Sequence, residues 1–98
     1  MEIAFADESL DRLETDPAYT AGFSQAVVKA YRKRVQQIRA ATDERTFYGL
    51  KSLHFEKLKG DREGQHSMRL NAQWRLIVEL RGSAPTKVVG IVEIADYH

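Results

Sequence analysis

The chain has 98 residues, enough for one domain, and its 43% hydrophobic and 30% charged side chains exclude a disordered tail and a collagen-like fibre. No apolar run approaches the roughly 20 residues of a bilayer span, and with no cysteine there is no disulfide framework and no cysteine-based zinc site. The net charge of +1 hides a skew, because residues 1–16 carry six acids against Arg12 alone while the remainder holds 14 basic and 8 acidic side chains. A cationic body of this kind is compatible with a polyanionic partner and equally with solvated charged faces. The acidic, apolar-poor start lacks the pattern of a secretory signal, so a cytosolic location without membrane association is expected.

Met1–Phe5 reads as a short strand, with Ile3 and Phe5 alternating against Glu2 and Ala4. Ser9 to about Glu14 reads as a short helix with Leu10 and Leu13 on one side, broken by Asp16-Pro17. The clearest helix runs from Thr20 or Ser24 to Ala41, since Phe23, Val27, Tyr31, Val35 and Ile38 gather on one face. Lys29, Arg32, Lys33 and Arg39 lie mostly elsewhere, with no acid between Lys29 and Arg39 to balance them. Asp43 can cap a short helical piece carrying Phe47 and Leu50.

From Leu53 onward the period becomes two. Leu53 and Phe55 are expected to begin a strand, followed by a turn at Lys59–Gly64. Residues 66–71 alternate Met68 and Leu70 against Ser67 and Arg69. Trp74, Leu76, Val78 and Leu80 then face one way and Arg75, Ile77 and Glu79 the other, before a second turn over Arg81–Thr86. In the last strand, Lys87–Tyr97, strict alternation puts Val89, Ile91, Glu93 and Ala95 on one face and Val88, Val92 and Ile94 on the other. Helices followed by an antiparallel meander define an α+β class in one domain, residues 1–98.

His54, His66 and His98 lack the short spacing of helix-borne metal ligands. Gly60-x-x-x-Gly64 has no following Lys-Ser/Thr pair and is not a phosphate loop. What remains is cationic: Lys57, Lys59, Arg62, Arg69 and Arg75 fall within 19 residues. Hairpin pairing about Asn71-Ala72-Gln73 would bring Arg69 and Arg75 together. Guanidinium groups on one sheet surface can grip phosphate bidentately, and His66, Tyr97 and His98 could move protons beside them. These parts suit metal-free RNA cleavage by 2′-OH attack. The plainer reading of Lys57, Lys59 and Arg62 is solvated charge, and Arg75 could simply pair with Glu79 or Glu93.

Four segments carry a resemblance: Phe55-Glu56-Lys57-Leu58-Lys59-Gly60-Asp61-Arg62, Gly64-Gln65-x-Ser67-Met68-Arg69-Leu70-Asn71, Gln73-Trp74-Arg75-Leu76, and Val92-Glu93-Ile94-x-Asp96-Tyr97-His98. In this order they resemble the HigB toxins, the plasmid maintenance killer branch of the RelE/ParE superfamily. The resemblance implies a RelE-like microbial RNase fold, a short N-terminal strand and two helices packed on an antiparallel sheet. It implies a type II toxin that cuts mRNA on the translating ribosome and needs no cofactor. Its partner would be a helix-turn-helix, HigA-like antitoxin, with operator DNA contacted only through the complex.

Carried over by position, Lys59, Arg75, Asp96, Tyr97 and His98 match the catalytic positions, and Lys57 matches a basic RNA-contacting one. His54 lies near a functional histidine of some members, and His66 stands where an aromatic residue is common. Arg62 and Arg69 complete the expected RNA-binding set. His98 is the better general acid or base, with Asp96 and the terminal carboxylate favouring its imidazolium. Tyr97 is either an acidified base or a base-stacking ring. A ParE-like gyrase poison and a non-catalytic antitoxin- or nucleic-acid-binding remnant stand as alternatives on the same scaffold.

Overall fold

The computed structural model describes residues 1–82 and 87–96. In chain order these form β1 (Glu2–Phe5), α1 (Glu8–Thr15), α2 (Gln25–Ala40), α3 (Arg45–Gly49), a 3-10 turn (Lys51–Leu53), β2 (Glu56–Lys57), a second 3-10 turn (Gly60–Arg62), β3 (Gln65–Arg69), β4 (Trp74–Arg81) and β5 (Val88–Asp96). The strands make one five-stranded sheet in the order β1-β5-β4-β3-β2. The α+β architecture expected from the sequence is present, with one addition: β1 joins β5 in parallel, Ile3 opposite Val89 and Phe5 opposite Ile91.

Local chemistry sets the helix ends. Asp7 opens α1, its carboxylate accepting from the Leu10 amide (3.0 Å) and the Ser9 hydroxyl (2.7 Å). Ser24 opens α2 by accepting from the Val27 amide at 3.3 Å. The long-helix seam is as read: Val27, Tyr31, Val35 and Ile38 are buried, and Phe23, just before the helix, packs edge-on to Trp74 at 5.4 Å between ring centres. Two side chains of α2 bind it to the segment before it. The Tyr31 hydroxyl donates to the Leu10 carbonyl at 2.7 Å, and Arg32 donates to the carbonyls of Leu13, Asp16 and Tyr19, satisfying the end of α1 and its loop.

The core lies between these helices and one face of the sheet, where Leu10, Leu13, Phe47, Leu53, Phe55, Met68, Leu76, Val78, Val89 and Ile91 are buried. Several local expectations are corrected. Asp43 does not cap α3; Glu44 holds that position without a side-chain cap, while Asp43 accepts from the Arg45 amide at 2.9 Å. Leu53 and Phe55 do not begin a strand. Both are buried anchors, and His54 between them takes the left-handed conformation (φ 45°, ψ 49°), which breaks the extended run and leaves β2 only two residues long.

The faces of β5 also differ from strict alternation. Ile77 pairs with Glu93 but Val78 pairs with Ile91, so Val92 is an extra residue, a β-bulge. The bulge shifts the phase by one, and Ile94 joins Val89 and Ile91 on the helix side. Glu93 and Ala95 thereby share the outer face with Ile77 and Arg75. Of the expected turn at Arg81–Thr86, Ser83 to Thr86 lie outside the described residues.

Candidate RNA-cleavage surface

The sheet has an outer face, turned away from the helices, whose cations sit at defined levels. At one end Arg69 on β3 stands directly opposite Arg75 on β4, which stands opposite Ala95 on β5. The turn between β3 and β4 enforces this register. Asn71 Oδ1 accepts from the amides of Gln73 and Trp74, each at 2.8 Å, and the Leu70 amide donates to the Trp74 carbonyl at 2.9 Å. Two arginines thus stand side by side on the outer face, the pairing that the hairpin spacing in the sequence led us to expect. The Arg69 side chain engages no carboxylate among the described residues. Its backbone carbonyl is held from the other side of the sheet by buried Arg34 of α2, whose Nε donates at 2.9 Å. Sequence reading passed over Arg34; its place near the α2 seam, among Val27, Tyr31 and Val35, was the available signal.

Asp96 ends the described part of β5 opposite Trp74, one position from the Arg75 level, and its Oδ2 accepts from Gln73 Nε2 at 3.1 Å. Tyr97 and His98 follow it and lie outside the described residues.

Arg62 lies further along the same face. From the second 3-10 turn its Nη1 donates to Gln65 Oε1 (3.0 Å) on β3, and Nη2 pairs with Glu93 (3.0 Å) on β5. That path crosses β4, where Ile77 is fully buried although it lies outside the helix-side core. Ser67, on the same level of β3, is equally buried, and its hydroxyl has no hydrogen-bond partner among the described residues. The network continues from Gln65 to Glu79 at 3.2 Å and from Glu79 to Arg81. Arg81 lies flat over Gly90, where a Cβ would come within 2.7 Å of its guanidinium.

The lysines and the first two histidines are placed elsewhere. Lys59 is exposed and precedes the Gly60–Arg62 turn, beyond Leu58, whose amide donates to the Gln65 carbonyl. Arg69 is four residues further along β3, about 13 Å in the strand direction, so the backbone register separates Lys59 from the Arg75 level. His66 is on the opposite side of β3 from Arg69, because successive side chains alternate. It is buried and stacked on Phe55 at 4.8 Å and 8°. Burial, then the charge of Lys57, hold its imidazole below the usual histidine range, with Glu44 acting weakly the other way. Lys57 pairs with His66 in register and is exposed. His54 is exposed beside this edge. The sequence expectation that His66 shares one place with the arginines is therefore not how the strand presents it.

This α+β scaffold carries paired arginines at one end of its outer sheet face. A family model described as a RelE-like toxin of the type II toxin–antitoxin system HigB matches residues 3–98, and the chain belongs to that family. It is accordingly a type II toxin, of a class that acts as ribosome-dependent mRNA endonucleases. Solved structures share the fold. A YoeB/ParE toxin from Agrobacterium tumefaciens is 19% identical, with TM-score 0.63 and 100% of both chains covered. A chain of a YoeB-YefM complex from Staphylococcus aureus is 19% identical, with TM-score 0.62 and coverage of 100% of this chain and 97% of that one. YafQ from E. coli is 10% identical, with TM-score 0.58 and coverage of 97% and 91%. No curated protein sequence matches the chain significantly.

Proposed function

We propose that this toxin, acting as one domain over residues 1–98, cuts mRNA on the ribosome by transesterification without a catalytic metal. The ribose 2′-oxygen bonds to the adjacent phosphorus, the bond to the 5′-oxygen breaks, and a 2′,3′-cyclic phosphate and a 5′-hydroxyl result. One group takes the 2′-OH proton and another gives a proton to the leaving oxygen. His98 and Tyr97 are the side chains we assign to these transfers, with Asp96 beside them favouring a charged imidazole.

The observation that carries the reading is the cross-strand pair Arg69–Arg75, at the level where β5 reaches Asp96. Two guanidinium groups there would bind the phosphate and stabilise the extra negative charge of the pentavalent centre, the task a metal performs elsewhere. Arg62, Lys59 and Lys57 extend the positive field along the face and its edge and would hold the flanking backbone. His54, exposed beside them, is a further RNA contact.

The partner we assign is a cognate helix-turn-helix antitoxin of the HigA kind, which would link the toxin to operator DNA in a cytoplasmic complex. A structural relative is already known as a YoeB-YefM complex.

The test is primer extension on mRNA translated in the presence of the toxin, alongside growth arrest in cells lacking antitoxin. Arg75→Ala and deletion of His98 should each lower cleavage by about 10²-fold or more while leaving the thermal unfolding transition in place. Full toxicity of both variants would overturn the site. Inhibition of gyrase supercoiling without mRNA cleavage would overturn the reaction.

A further inference from the structure

Tyr48 is the large hydrophobic side chain left exposed among the described residues, at 56%. It sits on α3 beside fully buried Phe47 and is braced rather than loose: its ring meets Phe55 edge-on at 4.8 Å and 78°. Phe55 in turn packs against Phe47 at 5.3 Å and stacks on His66 at 4.8 Å. Lys57 faces His66 across the β2–β3 register. Exposed His54 is fixed between the buried anchors Leu53 and Phe55 by its left-handed backbone. A bulky residue in that conformation carries strain that ordinary loop positions avoid.

Lysines without an ion pair among the described residues cluster in the chain segments around this aromatic edge. Six cations of the described residues are matched with carboxylates: Arg12 with Asp16, Arg39 with Glu14, Arg45 with Asp43, Arg62 with Glu93, Arg81 with Glu79 and Lys87 with Glu44. Lys51, Lys57 and Lys59, in the segments following Tyr48, have no ion pair among the described residues. The Glu56 carboxylate belongs to the other side of β2, in register with Ser67. A rigid exposed ring with unmatched lysines is the chemistry that holds single-stranded RNA, the ring stacking on a base and the cations following the backbone.

We propose that Tyr48, with Lys57 and His54 beside it, forms a stacking subsite for an unpaired base flanking the cleaved linkage. The inference rests on the nuclease reading and deepens it. The subsite is not the place of chemistry, since Arg69 and Arg75 lie on the opposite side of the sheet. β4 and β2 are two strand spacings apart, about 10 Å, and β2, at the sheet edge, is only two residues long. An RNA strand that crosses this edge meets both surfaces.

Single-turnover cleavage of mRNA on purified ribosomes, measured across toxin concentrations, tests it with full-length Tyr48→Ala, Tyr48→Leu and Tyr48→Phe. Tyr48→Ala should raise the half-saturating concentration about tenfold, within the range of one lost stack, with the saturating rate retained. Tyr48→Leu, which keeps an apolar contact to Phe55, should do the same, and Tyr48→Phe should match the native chain. Native half-saturation in Tyr48→Ala or Tyr48→Leu would overturn the subsite. So would unchanged cleavage with weakened antitoxin binding, which would assign the patch to a protein. Failure of the native chain to cleave any mRNA would instead overturn the nuclease reading, independently of these variants, and the subsite with it.

Discussion

Arg62 and Glu93 meet across an intervening strand: the guanidinium from the turn before β3 lies 3.0 Å from the carboxylate on β5, with β4 between them. The pair is partly exposed on both sides, at 39% and 46%, and such pairs contribute little by themselves, about 0–1 kcal/mol. The larger consequence is cover. Arg62 reaches Glu93 across the level of fully buried Ile77, the register partner of Glu93, so its aliphatic stem is placed to cover Ile77 on a face outside the helix-side core.

Arg62→Met keeps that cover and loses the charge, whereas Arg62→Ala loses both. Urea denaturation should find Arg62→Met near native stability and Arg62→Ala destabilised by about 1 kcal/mol, the value of a partly buried aliphatic stem. Equal destabilisation by the two would show that charge, not cover, is what the side chain supplies.

Arg69→Lys preserves charge at the cleavage surface but removes the planar fork. Bidentate phosphate contact needs that fork, so cleavage should fall by about tenfold while the thermal transition stays within a few degrees of native. Single-turnover rates on ribosome-bound mRNA measure it, and an undiminished rate would mean that Arg69 acts only as a distant charge.

Tyr31→Phe removes the donor to the Leu10 carbonyl in a buried setting. The ring still fills its space and the Leu10 carbonyl, inside α1, keeps its helical donor, so the cost is that of one lost hydrogen bond, about 0.5–1.5 kcal/mol. The same burial, with the carboxylates of Glu14, Asp11 and Asp7 nearby, raises the phenol pKa well above its usual value, and the hydroxyl remains a donor throughout the neutral range. Chemical denaturation of the two chains side by side gives the difference.

His66 makes stability depend on mild acid. Its folded pKa lies below the ordinary histidine value of 6.5, because burial and then Lys57 disfavour the imidazolium, Glu44 opposing weakly. The unfolded chain therefore binds the proton more readily. The contribution is fully present above about pH 6.5 and declines as pH falls from there through the folded pKa. His66→Phe retains a ring against Phe55 and should flatten this part of the stability–pH curve. An unchanged slope would place the proton uptake on another group.

Ala21 takes a positive φ of 53° in the loop before α2. Ala21→Gly relieves a conformation that L residues adopt at a cost and should raise the unfolding free energy by up to about 1 kcal/mol. Gly22→Ala should do the reverse. Its φ is 83° and an added methyl would meet no atom within 4 Å, so only the backbone would resist. Thermal melts of both variants settle the sign.

Much of this protein was legible in the order of its residues. The four-and-three spacing of Val27, Tyr31, Val35 and Ile38 set the long helix and its buried seam. The two-residue period of Trp74–Leu80 set the faces of the central strand, and the short Asn71-Ala72-Gln73 link put Arg69 opposite Arg75. These features depend on near neighbours in the chain, so local sequence determines them.

Tertiary structure decided the rest. The bulge at Val92 moved Glu93 and Ala95 to the outer face because β5 must stay in register with both β4 and β1, and no local period shows that. The left-handed turn at His54 holds because Leu53 and Phe55 are buried on contacts from distant segments. The parallel docking of β1, the path of Arg62 to Glu93 and the Arg34 tether to Arg69 join residues about 30 or more positions apart. Sequence specified which chemistry the chain carries; long-range packing specified which side of the sheet each piece of it occupies, since one residue of phase reverses a strand's faces.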